Sequence, residues 1–207
     1  MSYTLASTSD TTAETVVRNS RFIAVARRIN DEGAARAFVE QQQRQYPDAR
    51  HHCYAYVIGD AVHDRVERSS DDGEPGGTAG VPMLQVLHHR DLVNLAVVVI
   101  RYFGGIKLGA GGLVRAYTGA VTAALDTAPL VERVRGEVFT LAVDHSEVGR
   151  IESELRARSV SVLGTEYQDQ AVLTLATNDS ELLHALVAAA TSGSGELEPA
   201  GVIYTDR

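Results

Sequence analysis

A glycine-rich segment that carries basic side chains is the first part of this sequence that could support chemistry. Residues 97–117 read VVVIRYFGGIKLGAGGLVRAY, with the only lysine of the protein at position 107. A glycine loop between a strand and a helix brings free backbone N–H groups to the helix N-terminus, which favours anions. We therefore expect a site for phosphate, on a nucleic acid or on a small ligand, built from Arg101, Tyr102, Gly104, Gly105, Lys107, Gly109, Gly111, Gly112 and Arg115. The alternative is that the glycines serve tight turns and helix packing.

A second glycine-rich segment, SDDGEPGGTAG at residues 70–80, carries three carboxylates. Asp71, Asp72 and Glu74 could bind Mg²⁺ or act as a general base. They could instead cap helix N-termini and pair with Arg101 or Arg115. We favour this second interpretation, a network of ions that stabilises the fold, and include His52 in it. No catalytic residue is assigned.

The histidine pairs 51–52 and 88–89 suggest a metal site at first sight. Adjacent residues of a strand point to opposite faces, so each pair offers at most one ligand to each face. We therefore predict no metal and no cofactor. Cys53 is the only cysteine, which excludes an intrachain disulfide and fits a reducing compartment.

The net charge of the 207 residues is −8, which argues against a protein held to nucleic acid by bulk positive charge. The charge is divided unevenly: residues 1–134 hold 14 basic and 15 acidic side chains, and residues 135–207 hold 5 and 12. A local basic site therefore remains possible in the first part. The apolar runs are far shorter than the ~20 residues that span a bilayer, and the N-terminus is polar. We expect a cytoplasmic protein without a membrane contact.

The pattern of apolar residues predicts two domains, 1–134 and 135–207. In the first, we expect strands at 14–19, 21–27, 51–59 and 95–100, helices at 31–45, at 83–89 and from 112 to Pro129, and a loop at 68–82. Asn30 and Asn178 are candidate N-caps. The second domain has the order βαββαβ, the ferredoxin-like pattern.

Four segments of the sequence resemble those of the YigZ/IMPACT family: SRFIA at 20–24, PDARHHCYAYVIG at 47–59, and the two glycine-rich segments. The resemblance implies an α+β protein. Its N-terminal domain would have the ribosomal-protein-S-five domain-2-like fold with a left-handed βαβ unit, similar to domain IV of elongation factor G. Its ferredoxin-like C-terminal domain would be similar to domain V of that factor.

Eukaryotic relatives of the N-terminal domain are translational regulators that bind the activator of an amino-acid-starvation kinase. The resemblance therefore implies a translation or stress-response regulator that binds RNA, the ribosome or a translation-associated protein, without catalysis. The alternative is an enzyme, similar to small-molecule kinases or a hydrolase, that binds a phosphate ligand with the glycine loop and the Asp-Asp-Gly-Glu segment.

Overall fold

The computed structural model describes all residues from Met1 to Arg207. The chain is mixed α+β and divides into two compact units. The first contains residues 1–133 together with 206–207, and the second contains 134–205. The division lies beside the expected boundary at residue 134.

The first unit is built around a five-stranded sheet of order β2-β3-β6-β4-β5, in which every neighbouring pair is antiparallel. Its elements are β1 (Ser2–Leu5), β2 (Thr11–Val17), β3 (Ser20–Arg28), α1 (Glu32–Gln45), β4 (His51–Ile58), β5 (Val66–Ser70), α2 (Gly80–His89), β6 (Leu95–Tyr102) and α3 (Ala110–Asp126).

Strand β6 lies at the centre of this sheet and is buried on both faces, as its apolar sequence without alternation predicts. Val97 and Val99 belong to the core formed with α2 and α3. Val98 and Ile100 belong to the core formed with α1 on the other face. The residues that follow β6 are thus held by a strand fixed from both sides.

Two local features of the first unit differ from the sequence-based expectations. Asp31, rather than Asn30, is the N-cap of α1, because its carboxylate accepts the Ala34 N–H at 2.7 Å. Helix α2 begins at Gly80 rather than at 83. A Cβ at Gly80 would lie 2.7 Å from the Ser70 backbone, so this glycine permits a close approach inside regular structure rather than breaking it.

The second unit follows the predicted βαββαβ order. Its elements are β7 (Leu130–Val143), which begins in the first unit, α4 (Val148–Ala157), β8 (Ser161–Tyr167), β9 (Ala171–Thr177), α5 (Ser180–Ala190) and β10 (Leu197–Asp206). The strand order β10-β7-β9-β8 is that of a ferredoxin-like sheet. Asp179, rather than Asn178, caps α5 by accepting the Leu182 N–H at 2.9 Å. None of the five helices is both long and apolar enough to cross a membrane.

Candidate functional site

Asp71 caps the loop that leads into α2. Its carboxylate accepts three backbone N–H groups, those of Gly77 at 2.7 Å, Ala79 at 2.9 Å and Gly80 at 2.9 Å. Partial burial would raise the pKa of Asp71, but the three backbone donors lower it, and the net direction is downward. The carboxylate is therefore ionised at neutral pH, and backbone N–H groups occupy three of its roughly four acceptor sites.

Asp72 ties the same loop to β4. Its carboxylate accepts the His52 backbone N–H at 2.6 Å, and its carbonyl oxygen lies 2.8 Å from Nδ1 of His51. The imidazole of His52 is buried, with Nε2 3.1 Å from the Tyr46 carbonyl oxygen. These contacts fix the loop against the strand.

Glu74 forms a buried ion pair with Arg101. Its Oε1 accepts Nη1–H of Arg101 at 2.6 Å and the Tyr117 hydroxyl at 2.8 Å. The two charged side chains are only 3% and 7% exposed. The pair connects the loop before α2 to the end of β6 and to α3.

Cys53 completes this network. Its Sγ lies 3.0 Å from the Asp71 carbonyl oxygen and 3.3 Å from the Tyr117 hydroxyl oxygen. Burial raises the pKa of the Cys53 thiol to about 12 and also raises the pKa of Tyr117. Both groups therefore stay protonated, and the thiol is not a nucleophile at neutral pH.

Arg101 and Tyr102 do not lie at the surface where phosphate was expected. The Arg101 guanidinium is directed inward to Glu74, with the ring centroids of Phe22 and Phe103 5.5 and 5.7 Å away. Tyr102 points to the opposite face of the sheet, because neighbouring strand residues alternate, and packs against the core on the α1 side. Arg101 thus supports the start of the glycine loop rather than presenting its charge to solvent.

The glycine loop, residues 103–109, depends on three of its glycines. A Cβ at Gly104 would lie 2.1 Å from the Asn19 backbone, and the Gly104 N–H donates to Ser20 Oγ at 3.1 Å. Gly105 and Gly109 have φ angles of +84° and +72°, which disfavour other residues. Gly109 is also the N-cap of α3, and no side chain caps that end of the helix.

Three exposed cations surround this end of α3, and we call Arg18, Lys107 and Arg115 the basic surface. None of the three forms an ion pair. Arg18 and Arg115 line a cavity of 160 Å³ together with Leu108 and Gly112. At Gly111, a Cβ would lie 3.6 Å from Nη1 of Arg115, so the guanidinium lies over the first turn of the helix. A Cβ at Gly112 would lie 3.0 Å from Cβ of Leu108, so this glycine permits the close contact with Leu108.

Sequence reasoning missed Arg18, which lies 97 positions before Arg115. It occupies the turn between β2 and β3, where Arg18 and Asn19 both have positive φ. The predicted hairpin and the need for a glycine at Gly104 are the signals that could have placed this turn beside the loop. Phe103 and Ile106 are 51% and 45% exposed, so the loop also presents apolar surface.

No group of three or more His, Cys, Asp or Glu side chains converges as metal ligands would. Asp71 and Glu74 are held by internal contacts, and the histidine pairs are divided between the two faces of β4 or lie at the end of α2.

Fold and site together define a two-domain α+β protein whose first domain supports an exposed glycine loop on a buried network of charges. Residues 18–125 match the model of the Impact N-terminal domain, and residues 141–194 match a domain of unknown function, DUF1949. The chain belongs to the IMPACT family.

Relatives from bacteria match much of the chain. It is 47% identical over 143 residues to the IMPACT family member YvyE of Bacillus subtilis. The matched segment covers 69% of this chain and 65% of that protein. It is 39% identical over 160 residues to the IMPACT family member YigZ of Escherichia coli, covering 77% and 78% of the two chains. A crystal structure of a hypothetical protein, 35% identical, covers 95% of this chain and 97% of its own, with a TM-score of 0.73.

Proposed function

We propose that this protein is a translation-associated regulator that binds RNA, free or within the ribosome, through the basic surface and without catalysis. The observation that carries the proposal is that Arg18, Lys107 and Arg115 are exposed and unpaired around the uncapped N-terminus of α3. Phosphate oxygens are the groups that such an arrangement accommodates.

The distribution of ion pairs supports this choice. Twelve of the 19 Lys and Arg side chains pair with a carboxylate of the protein. The three cations of the basic surface are among the seven that do not. An external anion is therefore the partner available to them.

Three phosphate contacts alone give weak binding. They correspond to a slope of about −2 to −3 in a plot of log K against log salt concentration. Stacking of a base on an exposed aromatic side chain adds about 1–3 kcal/mol. Phe103 is half exposed in the same loop as Lys107, so the loop offers both kinds of contact to a single strand of RNA.

Membership of the family supports the translational context, because eukaryotic members regulate translation. Catalysis is not part of the proposal. The kinase-like or hydrolase alternative needs Asp71, Asp72 and Glu74 to hold Mg²⁺ or to take up a proton. Asp71 accepts three backbone N–H groups and Glu74 is buried against Arg101, so Asp72 is the one exposed carboxylate of the three.

The test is co-sedimentation of the full chain with ribosomes and with total RNA at low salt. The triple variant R18A/K107A/R115A should lose most of the bound fraction. The control R44A/R50A/R207A removes the same charge from exposed positions outside the basic surface and should bind like the parent. Equal binding by the two triple variants would contradict the proposal, and a partner retained after nuclease treatment would point to a translation-associated protein instead.

A further inference from the structure

A second cleft, of 410 Å³, lies on the face of the first domain's sheet that α1 covers. Its size falls within the range of about 300–1,000 Å³ that is typical of small-molecule sites. The main lining residues are Glu32, Arg36 and Val39 of α1, Tyr54 and Tyr56 of β4, and Arg68 of β5. The basic surface lies on the other face of this sheet, so the cleft is a separate feature.

Two parallel aromatic rings line one side of the cleft. Tyr54 and Tyr56 are two positions apart in β4 and therefore share a face. Their ring centroids are 6.1 Å apart and their planes differ by 7°. Tyr56 is buried, so the half-buried ring of Tyr54 is the apolar surface on which a planar ring can stack.

The other groups in the cleft are charged, and some of their hydrogen-bonding atoms are free to bind a ligand. Glu32 accepts the Tyr56 hydroxyl through Oε1 at 2.9 Å, and the Nε of Arg68 is 3.9 Å from the same oxygen. The second oxygen of this carboxylate has no partner in the protein. Arg36 has no carboxylate partner either. Burial and the bond to Glu32 raise the pKa of Tyr56 to about 12, so its hydroxyl remains a donor that holds this carboxylate in place.

A ligand that fits must bring three groups at once: a planar ring for the tyrosines, N–H or O–H donors for Glu32, and an anion for the arginines. We infer that the cleft binds a nucleotide, with its base on Tyr54, a ribose hydroxyl or base amino group at Glu32, and its phosphate at Arg36 and Arg68. Glu40 also lines the cleft but is paired with Arg44. A free nucleotide and a nucleotide within an RNA strand share this chemistry.

The inference is tested by titrating the full chain with AMP while following the tyrosine ring resonances by NMR. Adenosine lacks the phosphate of AMP and ribose 5-phosphate lacks its base, so each should bind more weakly than AMP. Tyr54→Leu should weaken AMP binding by about 5- to 150-fold, the effect of losing one stacked base. Tyr54→Phe keeps the ring and should restore binding. The control Tyr167→Leu changes an exposed tyrosine of the second unit and should have no effect.

Replacing the two cations by R36Q/R68Q should reduce the affinity for AMP to that for adenosine. The inference is overturned if the affinity for AMP equals that for ribose 5-phosphate, or if Tyr54→Leu leaves the affinity for AMP unchanged. The variant R18A/K107A/R115A should bind AMP like the parent. The nucleotide cleft and the proposed RNA-binding function of the basic surface can therefore be refuted independently of each other. In that variant, displacement of AMP by a short single-stranded RNA identifies an RNA nucleotide as the ligand, whereas retention of AMP identifies a free nucleotide.

Discussion

Glu74→Gln tests whether the acidic segment at 70–80 stabilises the fold. Glutamine keeps the size of the side chain and an oxygen that can accept from Tyr117, so the substitution removes only the negative charge. Arg101 is then left with a buried positive charge, since its side chain is 7% exposed. Breaking a buried pair by removing one partner costs about 3–5 kcal/mol. A domain has only about 5–15 kcal/mol of stability in total.

The expected decrease in Tm is about 6 to 20 °C, at about 2–4 °C for each kcal/mol. Thermal unfolding followed by tyrosine fluorescence measures the decrease in Tm, because six of the eight tyrosines lie in the first unit. Glu40→Gln is the control: its partner Arg44 is exposed, and such a pair contributes about 0.3–0.5 kcal/mol.

The double variant E74L/R101M replaces both charges by apolar side chains. Its free energy of unfolding should exceed that of either single variant, because no uncompensated charge remains buried. If Glu74→Gln instead lowers stability by less than about 1 kcal/mol, the pair with Arg101 does not stabilise the fold, which contradicts the role given to the acidic segment.

Three further predictions concern single residues of the first unit. Cys53 in the native protein should resist alkylation at pH 8, because a thiol of pKa about 12 is ionised to only about one part in 10⁴; rapid modification measured by mass spectrometry would show that the thiol is accessible. Gly104→Ala should destabilise the domain, since its Cβ would meet the Asn19 backbone, whereas Gly119→Ala, which meets nothing within 4 Å in α3, should stabilise it by about 0.5–1 kcal/mol. Urea unfolding of both variants checks the opposite signs. Asp71→Ala should cost about 0.5–2 kcal/mol at pH 7. The folded-state pKa of Asp71 lies below its ordinary value of 3.8. This stabilising contribution is therefore complete above pH 3.8 and is lost as the pH falls through the lower folded-state pKa, so the stability difference from the parent should shrink on acidification. A difference that does not change with pH would contradict the capping role.

The sequence was most informative where a pattern reports burial directly. The run from Leu95 to Ile100 predicted a strand covered on both faces, and the βαββαβ pattern predicted the second unit. The short strands β1 and β5 were not predicted, because a strand of only four or five residues has little pattern of its own.

The candidate site was harder to predict because it depends on contacts between distant residues. An arginine at the end of an apolar strand gives no sign of whether it faces solvent, and Arg101 is buried only because Glu74 lies opposite. Arg18 joins the basic surface through the turn between β2 and β3, which no spacing along the chain reveals. The sequence could therefore suggest the glycine loop but not which cations surround it.

The salt dependence of RNA binding tests the central claim most directly. The affinity of the parent and of R18A/K107A/R115A for a single-stranded RNA should be measured between 50 and about 200 mM salt, a range over which phosphate contacts are strongly screened. The slope of log K against log salt concentration should be less steep in the variant by about 2, since each lost contact to a single strand removes about 0.7. Parallel slopes for the two proteins would show that these cations do not contact phosphate and would contradict the proposed function.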